Sequence, residues 1–400
     1  MLILRENASR VQELARQFPA LVLTGARQVG KTTLARQLFP DHRYVSLDLP
    51  SIAELAEQSP RELLARFPPP VVIDEVQYAP ALFRFLKSAI DEHRHEMGRF
   101  ILTGSQRFAL MHAVSESLAG RAAIVEIETL GWAEIARAGG SLATLESLVS
   151  AIVRGGFPEL WRNPDLDLDA FFSSYLATYL ERDVRQILNV ASLRDFERFV
   201  RACAARNAQL LDKTGIGSDV GVSSKAVTSW LNVLQASDQI VLLEPWFANF
   251  GKRLVKTPKL YFKDTGLLCF LLGLTSSTLA SSPFAGALWE TMVFAELRKR
   301  RGLAAGRRAL WFYRDAQGRE VDFVILGGGK ATLVECKWTE AATPADARAM
   351  REMIELARTR EIRELAQSRG FVLCRTPHPG TLAAYISAIG PAEFGRLLEP

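Results

Sequence analysis

A chain of 400 residues exceeds what one ordinary hydrophobic core supports, so two to four domains are expected. With 48% hydrophobic and 23% charged residues and no low-complexity tract, the composition is that of a soluble globular protein. The net charge of +5 is mild, but basic residues crowd the C-terminal half at Lys252, Arg253, Lys256, Lys259, the run from Arg298 to Arg301, Arg307 and Arg308. Such clustering suits a polyanion partner, and solvated helix ends and turns explain it equally well.

From the N-terminus, MLILRENASRVQEL places Arg5 and Glu6 within a few residues and so lacks the apolar core of a signal peptide. Runs such as Leu267 to Leu274 fall far short of the ~20 apolar residues of a membrane helix, and no membrane partner is expected. Cys203, Cys269, Cys336 and Cys374 are too scattered for a disulfide framework or a zinc site, which points to a reducing cytoplasm.

An apolar strand, Ala20 to Thr24, leads into Gly25-Ala26-Arg27-Gln28-Val29-Gly30-Lys31-Thr32 and then a helical pattern from Thr33. Strand, glycine loop and helix make GxxxxGKT a phosphate cradle: Gly25 and Gly30 allow the tight turn that aims successive N–H groups at phosphates. Lys31 supplies charge to the outer phosphates and the Thr32 hydroxyl ligates Mg²⁺. ATP and Mg²⁺ are therefore the expected ligands.

Pro70-Val71-Val72-Ile73-Asp74-Glu75 reads as a buried strand ending in two carboxylates, where ligands gather in a parallel sheet. Asp74 is the expected metal ligand, through water, and Glu75 the base that polarises the attacking water. A third strand, Arg99 to Leu102, ends in Thr103-Gly104-Ser105-Gln106, with Ser105 preferred over Thr103 as a sensor of the γ-phosphate.

The paired acids and polar third strand end resemble the AAA-type ATPases. That resemblance implies an arginine supplied by a neighbouring subunit, for which Arg121 and Arg107 are the candidates and a homo-oligomer the corollary. For either arginine a surface salt bridge is the favoured reading.

Beyond Glu134 a helical pattern runs to about Asn189, broken at Gly155-Gly156-Phe157-Pro158, and reads as a lid from which Arg154 could reach the phosphates. Tyr175, Tyr179 and Ile187 form a stripe that we read as core. From Asp195 to Lys256 the order is helix, short helix at Asp212 to Val220, turn at Gly221, a helix capped by Ser223 or Ser224, strand-like Ile240 to Trp246, and a basic loop. This is a winged helix-turn-helix pattern. On DNA it would present Lys225, Ser229 and Asn232 to the groove and Lys252 and Arg253 to the backbone; the alternative is a protein-docking module.

In the C-terminal region Tyr313 to Leu326 reads as a strand, or hairpin arm, entered through a turn, Gly327 to Lys330 as a turn, and Ala331 to Trp338 as the return strand. Glu335 and Lys337, two apart, share a face, and Asp322 on the neighbouring strand brings a third charge. The helix Ala287 to Leu297 offers Glu290. Asp322 and Glu335 would hold Mg²⁺, with Lys337 as the water-activating amine.

The set resembles the PD-(D/E)xK nuclease fold, with Val321-Asp322 and Glu335-Cys336-Lys337 at its positions and without the proline that usually precedes the aspartate. Along nearly its whole length, through GARQVGKT, VVIDEVQ, ILTGSQ, SLAGR, GGFPEL, KLYFKDTGLL, GALWETMVFAEL, REVDFVI and LVECKW, the chain resembles prokaryotic AAA-superfamily ATPases. Their C-terminal domain is itself similar to a PD-(D/E)xK nuclease. In the KLYFKDTG segment Asp264 is read as a helix cap rather than a catalytic group.

The expected fold class is α/β: a P-loop NTPase parallel sheet (1–135), a helical lid (136–194), a winged helix-turn-helix (195–256) and a restriction-endonuclease-like α/β domain (257–400). Three functions follow: an ATP-powered machine that cleaves DNA, an ATP-switched nucleic-acid binder with an inactive nuclease fold, and an ATPase acting on a protein partner.

Overall fold

A computed structural model describes residues 3–105, 114, 116–180, 184, 193–246, 255–303, 308–359 and 362–399. It divides into two compact units, 1–137 with 157–163 and 232–239, and the remainder.

The first unit is built on a five-stranded parallel sheet. Its strands are β1 (Ala20–Thr24), β2 (Arg43–Ser46), β3 (Val71–Asp74), β4 (Phe100–Gly104) and β5 (Ala122–Glu126), in the order β2-β3-β4-β1-β5. The three central strands, β1, β3 and β4, are buried along their whole length, as near-continuous apolar runs require when both faces are covered. On one face Val22, Ile73 and Leu102 pack with Leu82, Phe83, Leu86 and Ile90 of the helix Leu82–Glu92. On the other, Leu21, Leu23, Val72 and Ile101 meet Val11 of the helix Ala8–Ala15 and Leu34 and Ala35 of the helix Lys31–Leu38. The carboxyl ends of β1, β3 and β4 lie side by side in this register and carry the loop, Asp74-Glu75 and Thr103-Gly104-Ser105.

The second unit contains an antiparallel three-stranded sheet of β6 (Gln209–Leu210), β7 (Ile240–Leu243) and β8 (Lys259–Phe262), with β8 in the centre. The helix Lys213–Val220 is capped by Asp212 and ends at Gly221 in the left-handed conformation that glycine favours. Ser223 then caps the helix Ser224–Ala236, whose residues from Asn232 on belong to the first unit and on which Lys225, Ser229 and Asn232 are exposed. Lys252 and Arg253 lie outside the described residues, as do Gln106, Arg107, Ile187 and Arg307.

The same unit holds a six-stranded mixed sheet of β9 (Ala309–Arg314), β10 (Glu320–Gly327), β11 (Lys330–Cys336), β12 (Arg369–Leu373), β13 (Gly380–Ala383) and β14 (Ile386–Ile389). Strands β9, β10 and β11 are antiparallel neighbours, whereas β11, β12 and β14 run parallel. The segment from Tyr313, expected as a strand or hairpin arm entered through a turn, has that turn between β9 and β10, where Asp315 accepts from the backbone N–H groups of Gln317 and Arg319. Helices cover both faces. Met350, Met353 and Ile354 of Arg348–Thr359 pack on Val321, Val324, Leu333 and Val372. From Ala285–Leu303, Phe294 stacks near Phe323, and buried Trp289 donates Nε1–H to the Leu373 carbonyl at 3.0 Å. Tyr175 and Tyr179 are buried.

Candidate functional site

The loop from Gly25 to Gly30 turns where only glycine fits. Gly25 has φ 144°, and a Cβ there would meet the Ile127 carbonyl oxygen at 2.2 Å; Gly30, φ 92°, opens the helix. Lys31 folds back on the loop, its Nζ donating to the carbonyls of Gly25 at 3.0 Å and Ala26 at 2.7 Å. Burial pushes its pKa down to about 8, against the pull of the Glu75 and Asp74 carboxylates. Val29 is buried, while Gln28 and Thr33 are exposed.

The acids at the end of β3 are held by hydroxyls. Thr32 Oγ1 donates to Asp74 Oδ1 at 2.8 Å, Tyr44 Oη donates to Asp74 Oδ2 at 2.9 Å, and Thr103 Oγ1 also donates to Oδ1. Thr103 in turn accepts the Glu75 backbone N–H at 3.2 Å. Glu75 adopts a left-handed backbone, φ 55°, unusual for a residue with a side chain. Its carboxylate accepts from Ser105 Oγ at 3.1 Å and from Gln77 Nε2. Thr103 thus touches both acids, a role that the preference for Ser105 as sensor does not include.

A buried ion pair that no local sequence motif marks braces the loop. Arg5 Nε donates to Glu134 Oε1 at 3.0 Å, and its two terminal nitrogens hold the carbonyls of Val29 at 2.8 Å and Glu128 at 2.6 Å. Glu134 completes the knot by accepting from the backbone N–H groups of Glu6 and Gly131. Both side chains are buried. Of the arginine candidates, Arg121 makes a two-pronged pair with Asp91 at 2.7 and 2.9 Å, and Arg154, in the second unit, donates to the Pro164 carbonyl at 3.1 Å.

The residues fit a magnesium nucleotide. A cradle that excludes a Cβ, a lysine at its rim and a hydroxyl beside a carboxylate are the donor set such a ligand needs.

The C-terminal acids also converge, around an unexpected partner. Lys259, only 2% exposed, extends its ammonium from β8 into the carboxylates: Nζ lies 2.9 Å from Glu290 Oε1 and 3.4 Å from Asp322 Oδ1, and also contacts Glu320 Oε1. This corrects the reading of Lys259 as part of a basic surface. Burial opposes its charge, but Tyr261, Glu290, Asp322 and Glu320 outweigh it and hold the pKa well above the usual lysine value. Tyr261 Oη also donates to Glu290 Oε1, and Asp322 Oδ2 accepts the Cys336 backbone N–H at 2.8 Å. Burial and the neighbouring Asp322 raise Glu290 to about 7.

Glu335 faces Asp322 across the β10–β11 ladder, one step beyond Phe323 and Val334. It accepts from Lys337 Nζ at 2.7 Å, and its Oε2 is buried without a hydrogen-bond partner. Burial, then Asp322, pushes it up to about 8, with Lys337 opposing. Among the described residues no group of three or more His, Cys, Asp or Glu side chains is arranged to hold a metal ion. At the acids Glu290, Glu320 and Asp322 the donor set does not suit a divalent cation, because an ammonium already stands among them. Asp264 caps the helix Thr265–Leu272 through Gly266 and Leu267 N–H and also accepts from Gly156 N–H.

Three family models match parts of the chain. Residues 17–136 match an AAA domain, which assigns them to the P-loop ATPases that bind nucleotide with a divalent metal. Residues 145–278 and 285–388 match two domains of unknown function, DUF8612 and DUF4143. The uncharacterized proteins Rv2008c of Mycobacterium tuberculosis and Mb2031c of Mycobacterium bovis are each 31% identical over 354 residues, 88% of this chain and 77% of theirs. Among solved structures, a Walker-type ATPase of Pyrococcus abyssi is 18% identical, covering 68% of this chain and 96% of its own, with a TM-score of 0.47. A RuvB variant of Thermotoga maritima is 17% identical over 59% of this chain and 87% of its own, with a TM-score of 0.32. No described helix is long and apolar enough to cross a membrane.

Proposed function

The chain belongs to one family with those uncharacterized mycobacterial proteins, and on that premise we propose that it hydrolyses ATP with Mg²⁺ and couples turnover to DNA binding or processing. The observation that carries the hydrolytic part is the cluster of Thr32, Asp74, Thr103 and Glu75 at the mouth of the loop. Thr32 and Asp74 would hold the metal, which supplies charge neutralisation on the outer phosphates. Lys31 leaves the Gly25 and Ala26 carbonyls for the phosphates, an exchange of one set of oxygen acceptors for a more strongly charged one. Glu75, braced by Gln77 and Ser105, takes the proton of the attacking water.

Coupling to DNA rests on the helix-turn-helix order of 213–236 with its exposed Lys225, Ser229 and Asn232. The mixed sheet that brings Asp322, Glu335 and Lys337 together supports a nuclease-like reading of the C-terminal domain. A second reading, an ATP-switched binder of nucleic acid or protein with a catalytically inactive nuclease fold, is favoured by the ammonium among Glu290, Glu320 and Asp322.

One experiment separates these readings: ATP turnover with and without single- and double-stranded DNA, with the DNA followed on a gel. Faster turnover with Mg²⁺-dependent nicking that Glu335→Ala or Lys337→Ala abolishes supports processing. Salt-sensitive retention of uncut DNA supports the binder. If DNA is neither bound nor a stimulant, the coupling is wrong.

A further inference from the structure

We infer that Lys259 is the permanent cation of the C-terminal acid cluster, and that its ammonium closes Glu290, Glu320 and Asp322 to divalent metal ions. The carboxylates come from the helix Ala285–Leu303 and from β10, while the lysine comes from β8 of the other sheet. Lys259 therefore lies within the DUF8612 match and its acids within the DUF4143 match, so the closure is a property of the two together.

Three features hold the ammonium in place. The Lys259 backbone is paired on both sides, with Leu210 of β6 and Leu243 of β7, so its Cα cannot withdraw without breaking the sheet. The Phe312 ring lies 5.7 Å from Nζ. Five acid oxygens are also committed: Glu290 Oε1 to Lys259 and Tyr261, Asp322 Oδ1 and Glu320 Oε1 to Lys259, Asp322 Oδ2 to the Cys336 N–H, and Glu320 Oε2 to Arg314 at 2.8 Å.

A divalent cation needs six or so oxygen ligands with free lone pairs. Here it would have to displace the ammonium and then leave that charge buried beside it. Leaving that ion uncompensated is strongly unfavourable, whereas in place the ammonium and the carboxylates offset one another's burial. Closure of Asp322 does not depend on ATP turnover or DNA binding, and it excludes Mg²⁺-dependent cleavage at Asp322 in favour of the binding reading proposed above.

The test uses the full chain without nucleotide, titrated with Mn²⁺ by calorimetry, as the parent and as Asp322→Asn, Lys259→Met and Lys259→Met with Glu290→Gln. Lys259→Met keeps the chain length and removes the charge. It is expected to gain Mn²⁺ affinity by about 10-fold or more over the parent and to lose that gain when Glu290→Gln is added. Parent and Asp322→Asn are expected to take up Mn²⁺ alike. Uptake by the parent that Asp322→Asn abolishes overturns the inference, and that comparison decides even if Lys259→Met does not fold. A folded Lys259→Met with parent-like Mn²⁺ uptake also overturns it.

Discussion

Thr103 donates its hydroxyl to the Asp74 carboxylate while accepting the backbone N–H of Glu75, so one side chain fixes both acids of the nucleotide site. Val keeps the shape of Thr without the hydroxyl. Thr103→Val is expected to lower kcat by roughly 10- to 100-fold, as loss of a ligand-orienting partner does, with a smaller change in ATP affinity. Steady-state turnover and equilibrium nucleotide binding measure the two effects separately. Equal losses in both would mean that Thr103 supports the fold and not the acids.

The Arg5–Glu134 pair predicts asymmetric losses of stability. Arg5→Met leaves Glu134 as an unpaired buried charge and frees the Val29 carbonyl, a change expected to cost about 3–5 kcal/mol. Glu134→Gln can keep the Oε1 acceptor for Arg5 and the Glu6 N–H, sets its amide nitrogen against the Gly131 N–H alone, and should cost less. Denaturant unfolding of the two variants gives the comparison. A larger loss from Glu134→Gln would refute this assignment of roles.

Much of the nucleotide site was legible because its parts are contiguous strings: a loop of eight residues and Asp74-Glu75 at a strand end. The supports were not. Arg5 and Glu134 are 129 positions apart, and nothing local marks either as buried. Lys259 misled for a related reason. In sequence it continues a basic run, and only the pairing of β8 with its neighbours turns it inward to acids 31 and 63 positions away. Asp322, Glu335 and Lys337 could be brought together in advance because a short hairpin sets their register, whereas the lysine that meets Asp322 enters from another sheet.

Glu335 makes a pH prediction. Its folded pKa, about 8, lies above the ordinary value of 4.5, so the folded chain holds a proton that the unfolded chain has released. The stabilisation is complete below the unfolded pKa and is lost as pH rises through about 8. Glu335→Gln cannot ionise, so its Tm relative to the parent should rise between about pH 5 and pH 8.5. A difference in Tm that stays constant over that range would show that Glu335 is not held protonated.

The proposed role of Glu75 as the base at a working ATP site is tested most directly by single-turnover ATP hydrolysis by Glu75→Gln beside its nucleotide affinity. The predicted result is parent-like ATP binding with hydrolysis slowed by about 100-fold or more, while Lys31→Ala loses the binding itself. Hydrolysis by Glu75→Gln at the parent rate would contradict the account.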